Sequence, residues 1–185
     1  MANKKRKTNH YIRLRHFDVD RSGLYLYHRG SFWEQIGVAV LRGCYSARID
    51  DRGRLKLPNA FKAVVADQHG AGLYVTSVSG ESVRIYPMPS WLAVEERLAR
   101  MPSTHPARMK FLDRVNYFGQ VGEFDAQGRI GISPRLREAA GMSGEVDVLG
   151  QVEYLEVWNH ERFLAKLKRE PFTDDDSRAL AEYGI

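Results

Sequence analysis

The chain of 185 residues has one cysteine, Cys44, which excludes an internal disulfide and any multi-cysteine metal site. Long apolar runs are lacking as well. The longest near the N-terminus, Val38-Ala39-Val40-Leu41, is far short of the roughly 20 residues that span a bilayer. Lys4-Lys5-Arg6-Lys7 looks like the charged start of an export signal, but the stretch from Tyr11 to His16 alternates Arg and His with apolar residues and offers no apolar segment. A cytoplasmic protein with no membrane partner is expected. Catalytic groupings are missing too. His10, His16, His28, His69, His105 and His160 are scattered without metal-ligand spacing, and capping or solvent-facing roles suit them better. No serine sits in a nucleophile elbow, and Gly70-Ala71-Gly72 is too short to cradle phosphate. Cys44 falls on the Ser46 face of an expected strand with no histidine placed to activate it. The expectation is therefore no enzyme, no metal, no cofactor and no small-molecule substrate.

Charge of one sign is also scarce in the body of the chain. The formal net charge is +5, yet eight of the 28 Lys/Arg and only three of the 23 Asp/Glu lie in residues 1–39, so 20 of each remain in 40–185. A folded body that binds nucleic acid must do so through a local patch and not through a global field. A hydrophobic content of 43% fits a packed protein and argues against disorder.

What the sequence does contain is a duplication. Asp50-Asp51-Arg52-Gly53-Arg54-Leu55-Lys56-Leu57 recurs 75 positions later as Asp125-Ala126-Gln127-Gly128-Arg129-Ile130-Gly131-Ile132. Each copy is followed by a proline (Pro58, Pro134) and a short helical stretch, Asn59 to Ala66 and Pro134 to Ala140. Two strand-like runs come next: Gly72 to Ser77 and Ser82 to Tyr86 in the first half, Glu145 to Leu149 and Tyr154 to Trp158 in the second. In the shared D-x-x-G-R element the aspartate opens a tight turn by accepting backbone N–H groups, and the glycine takes the positive φ that closes it. Asp50, Gly53, Asp125 and Gly128 are thus expected to form turns. Tyr45, Ala47 and Ile49 alternate onto one face before the first turn, Leu55 and Leu57 after it, leaving Ser46, Arg48, Arg54 and Lys56 on the other.

Between the halves, Trp91, Val94, Leu98 and Met101 follow helical spacing, with Ser90 expected as N-cap. A second helix is expected from about Ala107 to Phe118. A last one is expected to start near Asn159 and pack through Phe163, Leu164 and Leu167, with Glu170 onward a frayed or solvated tail. Trp91 and Trp158 are expected in the core or at an interface.

The run Leu41-Arg42-Gly43, followed by Asp50-x-x-Gly53-Arg54 and Asp125-x-x-Gly128-Arg129 with a helical insert between them, resembles the MraZ family within the SpoVT/AbrB-type swapped-hairpin superfamily. The likeness covers about residues 41–168. It implies a mixed α+β, β-rich fold in which two tandem half-domains pair as an intrachain pseudo-dimer. The boundaries would be a basic leader over 1–39, a first SpoVT-AbrB-like domain over 44–91, a helical insert over 92–118, a second domain over 120–163 and a helix end plus acidic tail over 164–185. It also implies a transcriptional regulator on the nucleoid that forms ring-like homo-oligomers. Such a regulator would bind short direct repeats in double-stranded promoter DNA, that of its own division and cell-wall operon. The leader departs from the family pattern. It is either a basic extension or the product of an upstream start, with translation beginning near Val40.

Comparing the copies sharpens this expectation. Arg48, Arg52, Arg54 and Lys56 of the first correspond to Glu123, Gln127, Arg129 and Gly131 of the second, so four positive charges become a net of zero. Phosphate binding needs clustered Lys/Arg, and arginine pairs bidentately with guanine in the major groove. The first hairpin is therefore expected to face DNA, flanked by Arg42, with the second serving pairing and assembly. Arg129 either contacts DNA from a neighbouring subunit or pairs with a carboxylate at an interface. The rival reading is a protein–protein assembly module that carries these arginines only for solubility and edge protection.

Overall fold

The computed structural model describes residues 41–69 and 72–185, so the expectations for the leader, its possible start near Val40 and Gly70-Ala71 lie outside the described residues. The first half runs β1 (Cys44–Ile49), β2 (Arg54–Lys56), α1 (Asn59–His69), β3 (Gly72–Thr76) and β4 (Val83–Pro87). The insert supplies α2 (Met88–Ala99) and α3 (Pro106–Tyr117). The second half repeats the order as β5 (Gln120–Glu123), β6 (Arg129–Gly131), α4 (Pro134–Ala140), β7 (Gly144–Gly150) and β8 (Leu155–Asn159). It is followed by α5 (His160–Arg169) and α6 (Asp174–Ala181).

The eight strands form one antiparallel sheet in the order β5-β3-β4-β8-β7-β1-β2-β6. Its two ends, β5 and β6, are consecutive in sequence, so the sheet curls back into a near-barrel. The pairing crosses between halves. β1 lies against β7, with Arg48 opposite Glu145, and β5 lies against β3. The short β2 and β6 pair at one end of the strand order, with Leu55 opposite Ile130 and Lys56 opposite Arg129. Alternation then sends Leu55, Leu57, Ile130 and Ile132 inward onto Val83, Ile85, Val146, Val148, Leu155 and Val157, all buried in one shared core. Burying each such side chain contributes about 1.5–3 kcal/mol, so the core belongs to both halves jointly.

The helices are set by their ends. Ser133 caps α4 through its hydroxyl, and Gly141 closes it at φ 62°. The expected Ser90 cap is corrected. α2 starts three residues earlier, after Pro87, with no side-chain cap. The prolines explain this, because the first-turn positions around Met88 have no intrahelical acceptor for an N–H, and Pro89 needs none. The imidazole Nδ1 of His105 accepts the Ala107 N–H at 3.2 Å and caps α3. Trp91 of α2 is buried between Tyr74 (centroids 4.2 Å, stacked) and Tyr86 (5.3 Å, edge-on), and its indole N–H donates to Glu95 at 2.7 Å.

Two further expectations change at the C-terminal end. Of the residues expected to pack α5, Phe163 meets the buried Trp158 at 5.8 Å between centroids, while Leu164 and Leu167 stay exposed. The stretch after Glu170 is solvated but not frayed: α6 forms behind a capping box of Thr173 and Asp176. Three aspartates in its first turn complement the positive end of the helix dipole.

Candidate nucleic-acid interface

Both D-x-x-G-R turns have one geometry. Oδ1 of Asp50 accepts the N–H groups of Arg52 (3.0 Å) and Arg54 (2.9 Å), while Oδ2 accepts from Arg54 Nε at 2.8 Å. Asp125 takes the N–H groups of Gln127 and Arg129, both at 2.9 Å, and Arg129 Nε at 2.7 Å. Gly53 and Gly128 sit at φ 73° and 72°, a conformation that disfavours any side chain. Because β2 and β6 pair, the two turns stand side by side, and each arginine also reaches the other half's aspartate. Arg54 lies 4.0 Å from Asp125, and Arg129 lies 3.9 Å from Asp50. The four groups form a neutral square that fixes both guanidinium heads.

Bonding to Arg54 and then to its backbone holds the Asp50 carboxyl below the usual carboxylate range. For Asp125 the leading cause is the Arg129 N–H. Both turns therefore stay ionised at neutral pH.

Around the square is an open concavity of about 380 Å³ lined by Arg48, Asp50, Arg54, Lys56, Gln127 and Arg129. Arg48, Arg54 and Lys56 of the first copy and Arg129 are thus brought onto one surface, to which the second turn also contributes. Arg48 and Lys56 are exposed, and neither forms an ion pair among the described residues; the same holds for the exposed Arg52 and Arg42. Arg42 and Arg52 do not line the concavity.

Two cations escaped sequence reasoning. Arg137 of α4 lays its guanidinium over Gly53, where an added Cβ would overlap it, and Lys62 of α1 lays its ammonium over Gly128 in the same way. Each helix thus covers the turn of the other half. The signal was present but unread: Lys62 and Arg137 are 75 positions apart, the same offset as the two turns.

Elsewhere, among the described residues, no group of His, Cys, Asp and Glu is arranged to hold a metal ion, and no helix is long and apolar enough to cross a membrane. Cys44 is an exposed thiol whose pKa is pushed up, first by partial desolvation and then by the charge of Asp147. His160 Nδ1 lies 2.8 Å from the buried Asp147 carboxylate, a contact that spacing alone did not reveal.

Comparison with known proteins adds the following. The family model described as "MraZ protein, putative antitoxin-like" matches residues 120–182. A transcriptional regulator MraZ from Acidobacterium capsulatum is 47% identical over 146 residues, covering 79% of this chain and 100% of that protein. One from Koribacter versatilis is 45% identical over 147 residues, with the same coverage. One from Corynebacterium jeikeium is 30% identical over 143 residues, covering 76% of this chain and 97% of its own.

Proposed function

This chain belongs to the MraZ family, and from that premise we propose that it is a sequence-specific, double-stranded DNA-binding transcriptional regulator. Its reading surface is the paired-turn concavity. One observation carries this: four cationic side chains, Arg48, Arg54, Lys56 and Arg129, line a single exposed surface, and two of them, Arg48 and Lys56, have no ion-pair partner among the described residues, in a body whose charges balance overall. Arg54 and Arg129 are held by Asp50 and Asp125, so little side-chain freedom remains to be lost on binding. They are suited to bidentate base contact, whereas Arg48, Lys56, Arg52 and Arg42 are free to meet phosphate.

The two halves act as a swapped-hairpin pseudo-dimer, a reading supported by the cross-pairing of β1 with β7 and β5 with β3. Several copies assemble into a ring, for which the exposed Leu164 and Leu167 of α5 offer apolar surface. A ring repeats the reading surface at a fixed interval, which suits short direct repeats in the promoter of its own operon and places the protein on the nucleoid.

Fluorescence anisotropy with the full chain tests this, using a duplex from upstream of its own gene and a scrambled duplex at two salt concentrations. Tighter, salt-sensitive binding to the first is expected. Arg48→Ala and Lys56→Ala should each flatten the slope of log K against log salt by about one unit. Arg54→Ala should cost about 1–3 kcal/mol on the specific duplex. Equal affinity for the two duplexes, with no effect of these substitutions, would identify the chain as an assembly module instead.

A further inference from the structure

Resting on the DNA-binding reading above, we infer that Lys62 and Arg137 are phosphate-binding side chains that extend the DNA track over both turns, each reaching across from the opposite half of the chain. Each cation is held by a helix whose apolar face is sealed into the core, Phe61 and Val65 for Lys62, Leu136 and Ala140 for Arg137. Each overlies a glycine, so no side chain stands between the cation and whatever approaches the turn.

Among the described residues Lys62 and Arg137 form no ion pair, and the buried Nε of Arg137 has no hydrogen-bond partner. Several other arginines of the body are engaged: Arg84 with Glu156, Arg97 with Glu153, Arg162 with the Ala139 carbonyl, and Arg108 with the Met101 carbonyl, although the Arg108 Nε, like that of Arg137, has no partner. The buried Nε of Arg137 is unsatisfied in the isolated protein, the Lys62 ammonium has no ion-pair partner among the described residues, and both gain a charge-assisted hydrogen bond once an anionic oxygen arrives. The anion is a backbone phosphate and not a base edge, because both cations sit at the turn ends beside the concavity and do not line it.

This alters the charge comparison of the two turns. Sequence alignment of the copies leaves the second nearly neutral, but the fold returns a cation to it from the first half. It gives Arg137 to the first turn by the same exchange. A phosphate contact is then available at each end of the paired turns.

The test uses the full chain with Lys62→Gln, Arg137→Gln, Lys62→Arg and Arg137→Lys. Each is titrated against the upstream and the scrambled duplex over a salt series, with thermal melts alongside. Each Gln variant should weaken both duplexes by the same factor, about three- to tenfold near physiological salt, and flatten the salt slope by about 0.9. The charge-preserving variants should keep the wild-type slope. In a folding-independent readout, bound duplex should slow chemical modification of the Lys62 amine in the wild type.

Unchanged slopes in a wild type that binds DNA overturn this inference and leave the regulator reading standing. So do losses confined to the upstream duplex, losses that vanish below the melting range, or unprotected Lys62. A wild type that binds neither duplex overturns the regulator reading itself.

Discussion

At the scale of single residues, the Asp50, Arg54, Asp125 and Arg129 square is better understood as a device for orientation than for stability. Its ion pairs are partly exposed, and pairs of that kind contribute little to folding. What they do is engage each carboxylate with two backbone N–H groups and with the guanidinium of its own turn, which holds each arginine in place where it lines the concavity. A pH dependence follows. Each carboxyl is held below its unfolded-state value, so its contribution is complete above about pH 4 and is lost as the pH falls further through the lowered folded value. Asp50→Asn with Asp125→Asn should therefore lower the neutral plateau slightly toward the acid value and flatten the acid limb by the same amount. Urea midpoints between pH 2 and 7, by circular dichroism, measure it; an acid limb as steep in the double variant as in the wild type would show that these two carboxyls do not set it.

At the scale of elements, β2 and β6 have three residues each yet join the halves through the fully buried Leu55–Ile130 pair. Leu55→Ala or Ile130→Ala should cost about 2–5 kcal/mol in urea unfolding, because neighbours from both halves cannot collapse into the gap. Thr173→Ala should cost the α6 cap its hydroxyl contacts but leave that cooperative transition in place, since α6 has no buried residue. If both substitutions shifted the midpoint alike, the assignment of the core would be wrong. The same contrast explains what was legible in the sequence. The turns, α4 and the strands were readable because aspartate, glycine, proline and alternation act locally. The start of α2 was misplaced because Ser90 is a good cap, but Pro87 and Pro89 around Met88 suit a first turn better. The helix at α6 was hidden because a run of aspartates reads as solvated charge until Thr173 and Asp176 close the capping box. Lys62 and Arg137 were hidden for a different reason: the turn each one covers is fixed by a pairing that no local signal carries.

At the scale of the whole molecule, the halves are repeated in sequence but not separable in structure. Take residues 41–118 alone. β1 loses β7, β2 loses β6, β3 loses β5 and β4 loses β8, so every strand of that half has an open edge. Leu55, Leu57, Val83 and Ile85 would face water where the second half now covers them. Open edges and an uncovered apolar face are both costly, and folding free energies are only about 5–15 kcal/mol. The fragment should therefore be unfolded as a monomer at micromolar concentration, and it should gain structure only when mixed with 119–185 or when it pairs with a second copy of itself. Circular dichroism with light scattering, across a dilution series, separates these states. A monomeric 41–118 with a cooperative melt near that of the full chain would mean that the interleaving is dispensable. The paired-turn surface, which exists only where β2 meets β6, would then no longer require both halves to fold together.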